Sequence, residues 1–236
     1  MKTRSLTILI CAFALHAQAG SAVWSLNPNT NDWNTAANWT PATVPNGPSD
    51  IATFNNSSRN NITLSATTEV NGIIYNAGAS AFTTSVPSSQ VLTVSGSGIT
   101  NNAGVSQNFS VGVDPAEIIF TNSATSGTQT SFTTTGGVSN LTGGGQVIFF
   151  DDSTALDSTF VNNGGTVSGA FGGSVTFTDN ANAGNVVITN NSRGTSAASG
   201  GGKTKFGGSA TADHATITNL PNGEPIASGG ATEFLG

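Results

Sequence analysis

The stretch FGGSATADHATITN, from Phe206 to Asn219, repeats the stretch FTDNANAGNVVITN, from Phe177 to Asn190, at a distance of 29 residues. The aromatic residue, two alanines, the isoleucine and the final asparagine fall at matching offsets. A repeat of this length is typical of a solenoid, in which one short unit buries its apolar face by stacking on copies of itself. The sequence therefore predicts a repetitive architecture before it indicates any chemistry.

Apolar residues continue this period along the chain from residue 60 onward. They lie 28 or 29 residues apart, in short segments that alternate apolar and polar residues as half-buried strands do. Because Phe150 follows Phe149 directly, the middle repeat has a one-residue ambiguity. We expect one interior column made of Leu64, Leu92, Phe120, Phe149, Phe177, Phe206 and Phe234.

A second apolar position follows the first after about one strand and one turn. It contains Ile74, Ile99, Phe132, Val161, Ile188 and Ile217. Asn190 and Asn219 close their segments, where an asparagine can hydrogen-bond to its counterpart in the next coil. Glycine pairs such as Gly164-Gly165 and Gly229-Gly230 mark further corners, where a positive φ costs glycine little. The predicted fold class is all-β, a parallel β-helix with about 28 residues per coil over residues 61–236.

The first residues have the pattern of a signal peptide. Lys2 and Arg4 precede an apolar run, and small residues stand at Ala17 and Ala19 before the expected cleavage site. The apolar run is too short to span a bilayer. We therefore predict a signal peptide at residues 1–19, no membrane insertion, and a mature protein outside the cell or on its surface.

Residues 20–60 have a different composition from the repeats. They hold all three tryptophans of the chain, Trp24, Trp33 and Trp39, among prolines and asparagines that favour turns. The first coil of a solenoid exposes its core and an unpaired strand edge, so we interpret this segment as an N-terminal cap. The alternative is a carbohydrate-binding module in which the three rings stack on sugars.

Composition excludes several classes of partner. Charged residues make up 8% of the chain and its net charge is −6, so it lacks the clustered Lys and Arg that nucleic acid or anionic membrane requires. The one cysteine, Cys11, and one of the two histidines, His16, lie in the leader, so His214 has no second histidine in the mature chain with which to form a metal site. We expect no cofactor and no metal.

Aspartates carry a third functional hypothesis, a polysaccharide-cleaving enzyme. Grouped acids on neighbouring coils could share a proton or act as acid and base. The candidate pairs are Asp152 with Asp179, and Asp157 with Asp213; Asp151 lies beside them. Turns also favour aspartate, and Arg193, Lys203 and Lys205 are the only bases in this half of the chain to hold an acidic sugar. We therefore predict that the protein is not an enzyme.

Several motifs resemble bacterial exported proteins with autotransporter-associated β-strand repeats. They are the spacing of Trp24, Trp33 and Trp39, the later Pro45, Pro48, Asp50 and Phe54, the segment from Leu92 to Phe109, and the glycine pairs that precede a Thr-x-Phe sequence. The resemblance covers most of the chain beyond the leader. It implies a right-handed parallel β-helix displayed outside the cell, as in autotransporter passengers and surface proteins with sorting tails.

The leading functional hypothesis is a structural or adhesin-like surface protein with glycans or matrix polymers as partners. Gly229 to Phe234 repeats the start of a unit, and Leu235 and Gly236 follow before a second strand can form. We expect the last coil to be truncated there, and its open edge to pair with another copy of the chain.

Overall fold

A computed structural model describes residues 20–193, 199–221 and 228–235, and in these residues the chain winds into a parallel β-solenoid. Each strand pairs in parallel with strands one coil away on either side, except at the ends of the stack. This arrangement confirms the predicted all-β parallel helix. The predicted signal peptide, residues 1–19, lies outside the described residues.

Two sheets form the main walls of the solenoid. Within the described ranges, one sheet has ten strands and the other has seven. The ten-stranded sheet contains β1 (Ala22–Trp24), β2 (Trp39–Thr40), β3 (Gly47–Phe54), β5 (Thr68–Tyr75), β7 (Val91–Asn101), β9 (Glu117–Phe120), β11 (Gln146–Phe149), β13 (Ser174–Phe177), β15 (Lys203–Gly207) and β17 (Ala231–Leu235). The seven-stranded sheet contains β4 (Asn61–Thr63), β6 (Thr83–Val86), β8 (Gln107–Val111), β10 (Thr130–Thr134), β12 (Thr159–Asn162), β14 (Val187–Asn190) and β16 (Thr216–Asn219). A short 3₁₀ helix spans Ala36–Asn38.

Stacked phenylalanines fill the interior behind the ten-stranded sheet. Their rings lie nearly parallel, with centroids 4.7 to 5.2 Å apart, because strands of neighbouring coils are separated by about 4.8 Å. The column confirms the predicted register from the middle of the chain onward and places Phe149, rather than Phe150, inside. Its members are Phe120, Phe149, Phe177, Phe206 and Phe234.

The first coils differ from the predicted register. Leu92 pairs with Ile118, so Val94 occupies the place before Phe120 in the column. Leu64 directly follows β4 in the seven-stranded sheet. The prediction is therefore wrong at Leu64 and Leu92. The cause is that the first coils are shorter than 28 residues. Ile62 pairs with Thr84 and Leu92 pairs with Ile118, at separations of 84 − 62 = 22 and 118 − 92 = 26 residues.

The second column also departs from the prediction at three positions. Phe160 points inward and Val161 outward, and a slip of one residue along a strand exchanges its two faces. Ile74 and Ile99 belong to β5 and β7 of the ten-stranded sheet. The column behind the seven-stranded sheet consists of Ile62, Thr84, Phe109, Phe132, Phe160, Ile188 and Ile217.

Left-handed backbone forms two corners in each later coil. The first corner has φ values between 54° and 61°, at Asn122, Asp151, Asp179 and Gly208. The second has φ values between 45° and 81°, at Gly127, Leu156, Gly184 and Asp213. Asparagine, aspartate and glycine adopt this conformation more readily than other residues.

The glycine pairs are required by close approach of the backbone rather than by positive φ. A Cβ atom at Gly164 would lie 2.4 Å from the Ser192 carbonyl oxygen, and one at Gly202 would lie 2.0 Å from the Asn162 carbonyl oxygen. Neither glycine has a positive φ. The predicted positive φ is confirmed at Gly208 and is wrong for pairs such as Gly164-Gly165 and Gly229-Gly230, although these pairs do mark places where the chain passes between the two sheets.

Candidate functional site

The three tryptophans form a buried aromatic cluster. Trp24, Trp33 and Trp39 are at most 2% exposed, and Trp39 lies between the other two rings, with centroids 5.0 and 5.1 Å away. Each indole N–H donates to a backbone carbonyl, those of Arg59, Pro45 and Trp33 respectively. The rings therefore supply buried apolar area with their polar groups satisfied.

The same segment covers the first strands of both sheets. β2 runs antiparallel to β1, and the Trp33 N–H donates to the Thr63 carbonyl at the end of β4. Unpaired edge groups are thus satisfied, as predicted for a cap. Stacking on a sugar requires an exposed ring face, so we place no ligand site on these tryptophans.

Two of the candidate aspartates stack at the first corner of adjacent coils. The Asp151 N–H donates to Asp179 Oδ2 at 3.3 Å. Asp151 Oδ2 accepts from the Thr121 hydroxyl and, at 2.8 Å, from the Asn122 N–H. These donors, Thr121 first, hold the pKa of Asp151 below its ordinary value of 3.8. The two carboxylates complete the turns of neighbouring coils.

Asp152 and Asp157 accept hydrogen bonds from asparagines rather than facing other acids. The side-chain amides of Asn180 and Asn185 donate to them at 3.2 and 2.9 Å, each from the next coil. The sequence pairings are therefore wrong by one residue, because Asp179 stacks on Asp151, and Leu156 rather than Asp157 shares a corner with Asp213.

His214 lies on the surface at the second corner. Its Nδ1 is 2.6 Å from Asp213 Oδ1, and its side chain is 80% exposed. Across residues 20–193, 199–221 and 228–235, no three His, Cys, Asp or Glu side chains come together as metal ligands. Nor does any helix in the described part of the chain have the length and apolar character to cross a membrane.

A cavity of about 850 Å³ lies where β13, β15 and β17 begin. We call it the lysine groove, after Lys203 and Lys205, which line it together with Glu233 and Ser174. Gly172, Gly201 and Gly229 also line it, as do Leu141 and Phe171, whose side chains are exposed. The groove crosses three consecutive coils and is open to solvent.

The two lysines point outward from one strand. β15 alternates partly exposed Lys203 and Lys205 with buried Thr204 and Phe206, so the two ammonium groups lie on the same face. Lys203 Nζ forms an ion pair with Glu233 Oε1 at 2.6 Å. Among the described residues, Lys205 makes no ion pair, although Glu233 is its direct register partner on β17.

Sequence reasoning missed this groove. It counted Lys203 and Lys205 as too few bases to hold an acidic ligand, and gave no role to Phe171. The Lys-Thr-Lys alternation before Phe206 does place both lysines on one outward face. The position of Phe171 relative to them depends on how the loop before β13 folds back, which no local pattern encodes.

Comparison of the chain with protein-family models, curated proteins and solved structures finds no match. The functional argument therefore rests on the residues themselves.

Proposed function

We propose that this chain is an exported, non-enzymatic structural or adhesin-like surface protein built from β-strand repeats. The observation that carries the proposal is the regularity of the solenoid: strands of successive coils pair position for position, so outward side chains recur at the coil spacing. A regular, mostly neutral surface of this kind suits contact with polymers or matrix. The leader pattern at residues 1–19 supports export.

Export is tested by expressing the full chain in a bacterial host and fractionating the culture. We expect the protein outside the cytoplasm, with a mature N-terminus at Gly20. The control carries Ala17→Lys and Ala19→Lys, which should block processing at that site. Recovery of the unmodified chain with Met1 intact in the cytoplasm would contradict the proposal.

Adhesion is tested separately with beads that carry the purified chain. We expect them to bind extracellular matrix preparations more strongly than beads carrying an unrelated acidic protein of similar size. The same preparations should be assayed for release of reducing ends. Release of reducing ends by the purified chain, or binding no better than the control beads, would overturn the non-enzymatic adhesive assignment.

A further inference from the structure

We propose that the lysine groove binds a polysaccharide that carries uronic acid carboxylates, with Lys205 pairing with a carboxylate and Phe171 packing on a sugar ring. This inference rests on the proposed adhesive function and names its partner class. The groove is the place on the described surface where an exposed aromatic ring and a cation without an ion-pair partner border one cavity.

Core packing does not account for the exposed side chains of Phe171 and Leu141. Phe171 is 55% exposed and Leu141 is 76% exposed, whereas the phenylalanines of the interior column up to Phe206 are buried. Exposed aromatic side chains that border a cavity mark binding sites more often than isolated surface residues do. An aromatic face can pack on the C–H groups of a sugar ring or on a cation. A cationic ligand is disfavoured here because the adjacent lysines would repel it.

The charged side chains of the lysine groove favour an acidic ligand over a neutral one. Two lysines and one glutamate line the groove in the described part of the chain, and Glu233 pairs with Lys203, so Lys205 is left there without an ion pair; Asp114 borders the adjoining pocket. The net charge of the whole chain is −6, and the chain lacks the clustered Lys and Arg that nucleic acid requires. A polymer with one carboxylate per sugar matches a single cation beside an aromatic ring better than a nucleic acid does.

The shape of the groove suits an extended polymer. It is open and crosses three coils along the solenoid axis, and Gly172, Gly201 and Gly229 line it without side chains. The coils follow one another every ~4.8 Å, a step comparable to the length of one sugar ring. Ser174 and the Lys203–Glu233 pair lie along the same groove and supply hydrogen-bonding groups for sugar hydroxyls.

The test is calorimetric titration of the purified full-length chain with oligogalacturonate, using a dextran oligomer of equal length as the neutral probe. We expect binding of oligogalacturonate only, and weaker binding as salt rises. Lys205→Ala and Phe171→Ala should each weaken it about tenfold or more. Lys205→Arg should retain it. Val187→Ala, which removes an exposed apolar side chain from the seven-stranded sheet, should leave it unchanged.

Three results would overturn the inference. They are equal binding of dextran, equal binding of poly-glutamate, which would indicate an acidic peptide, and unchanged affinity in Lys205→Ala. Melting temperatures of all variants should match the unmodified chain, because the altered side chains lie outside the core. Export and adhesion are measured independently, so a chain that is exported and adheres but ignores oligogalacturonate would refute only this inference.

Discussion

The Asn162 side-chain amide donates a 2.8 Å hydrogen bond to Oδ1 of Asn190, its equivalent one coil further along. Asn190 in turn donates to Asn219 at 2.7 Å, and Asn162 and Asn190 also donate to the backbone carbonyls of the first residues of β15 and β17 in the ten-stranded sheet. The ladder thus ties the end of one sheet to the beginning of the other inside the core. Sequence analysis predicted the contact between Asn190 and Asn219, and the structure confirms it.

The ladder predicts a large cost for removing one asparagine. Asn190→Ala removes the partner of one buried Asn162 N–H and of the buried Thr204 hydroxyl, which costs about 1–3 kcal/mol for each unsatisfied group. Urea denaturation should show the loss. Asn185→Ala is the matched control, because Asn185 is exposed and should change stability by less than about 0.5 kcal/mol. Equal effects of the two changes would refute the ladder.

The phenylalanine column predicts a second contrast. Phe177 is fully buried between Phe149 and Phe206, so Phe177→Ala should lower the free energy of unfolding by about 3–5 kcal/mol. Phe171→Ala, at a ring that is more than half exposed, should cost far less. Thermal and chemical denaturation compare the two. A small decrease in the free energy of unfolding of Phe177→Ala would show that the column contributes little to the stability of the core.

Gly202 and Gly207 lie close together in the chain but differ in the room that the structure leaves for a side chain. A Cβ atom at Gly202 would meet the Asn162 carbonyl oxygen at 2.0 Å, whereas one at Gly207 would find its nearest neighbour at 3.7 Å. Gly202→Ala should therefore destabilise the protein by about 1–3 kcal/mol or more. Gly207→Ala should be tolerated. If circular dichroism melts showed both variants equally stable, the close approach at Gly202 would be disproved.

Tyr75, the single tyrosine of the chain, predicts the alkaline behaviour. It stacks on Phe54 in the core, and burial raises its pKa far above the ordinary value of 10.0, with a smaller opposing effect from Thr84. The unfolded chain loses this proton near pH 10, so the contribution of Tyr75 to stability should be constant below pH 10 and decrease above it. Tyrosinate absorbance should appear only with unfolding, and titration near pH 10 in the folded protein would contradict the burial.

The same residue predicts a stabilising substitution. The Tyr75 hydroxyl makes no hydrogen bond of good geometry within the described part of the chain. Tyr75→Phe removes this buried polar group, and should raise the free energy of unfolding by about 1 kcal/mol while abolishing the decrease above pH 10. Denaturation at pH 7 and pH 11 provides the measurement. A less stable Tyr75→Phe variant would mean that the hydroxyl has a partner.

The outer side of β17 predicts self-association. Within the described ranges this strand pairs only with β15, and Phe234 and Leu235 on it are 73% and 52% exposed. Such an edge favours pairing with another chain. We expect concentration-dependent association in sedimentation velocity, reduced by Phe234→Lys. Leu26→Lys, at an exposed leucine of the capped end, should not reduce it. A monomer at all concentrations would refute this prediction.

Sequence reasoning was most accurate where neighbouring coils repeat one another. Phe177 and Phe206 were placed in one column because their whole segments match, and identical segments stack in register. It failed at Leu92, which pairs with Ile118 after 118 − 92 = 26 residues rather than 28, and at Phe160, where counting from the preceding aromatic chose Val161. Both errors come from the same source: alternation reveals which residues share a face, whereas pairing between coils depends on how many residues each bend uses.

The sequence by itself determined the solenoid class, the strand-and-corner composition of a coil, the contact between Asn190 and Asn219, and the phenylalanine column from Phe120 onward. Each follows from local periodicity and from the stacking of identical residues in neighbouring coils. Only the tertiary structure decided that Trp24, Trp33 and Trp39 are buried, that Asp151 and Asp179 complete turns, and that Phe171 borders the same groove as Lys205. In each of these relationships, corners and loops bring together residues that are not adjacent in the sequence. The direction in which a loop returns is set by packing of the whole coil, and no short pattern of residues specifies it.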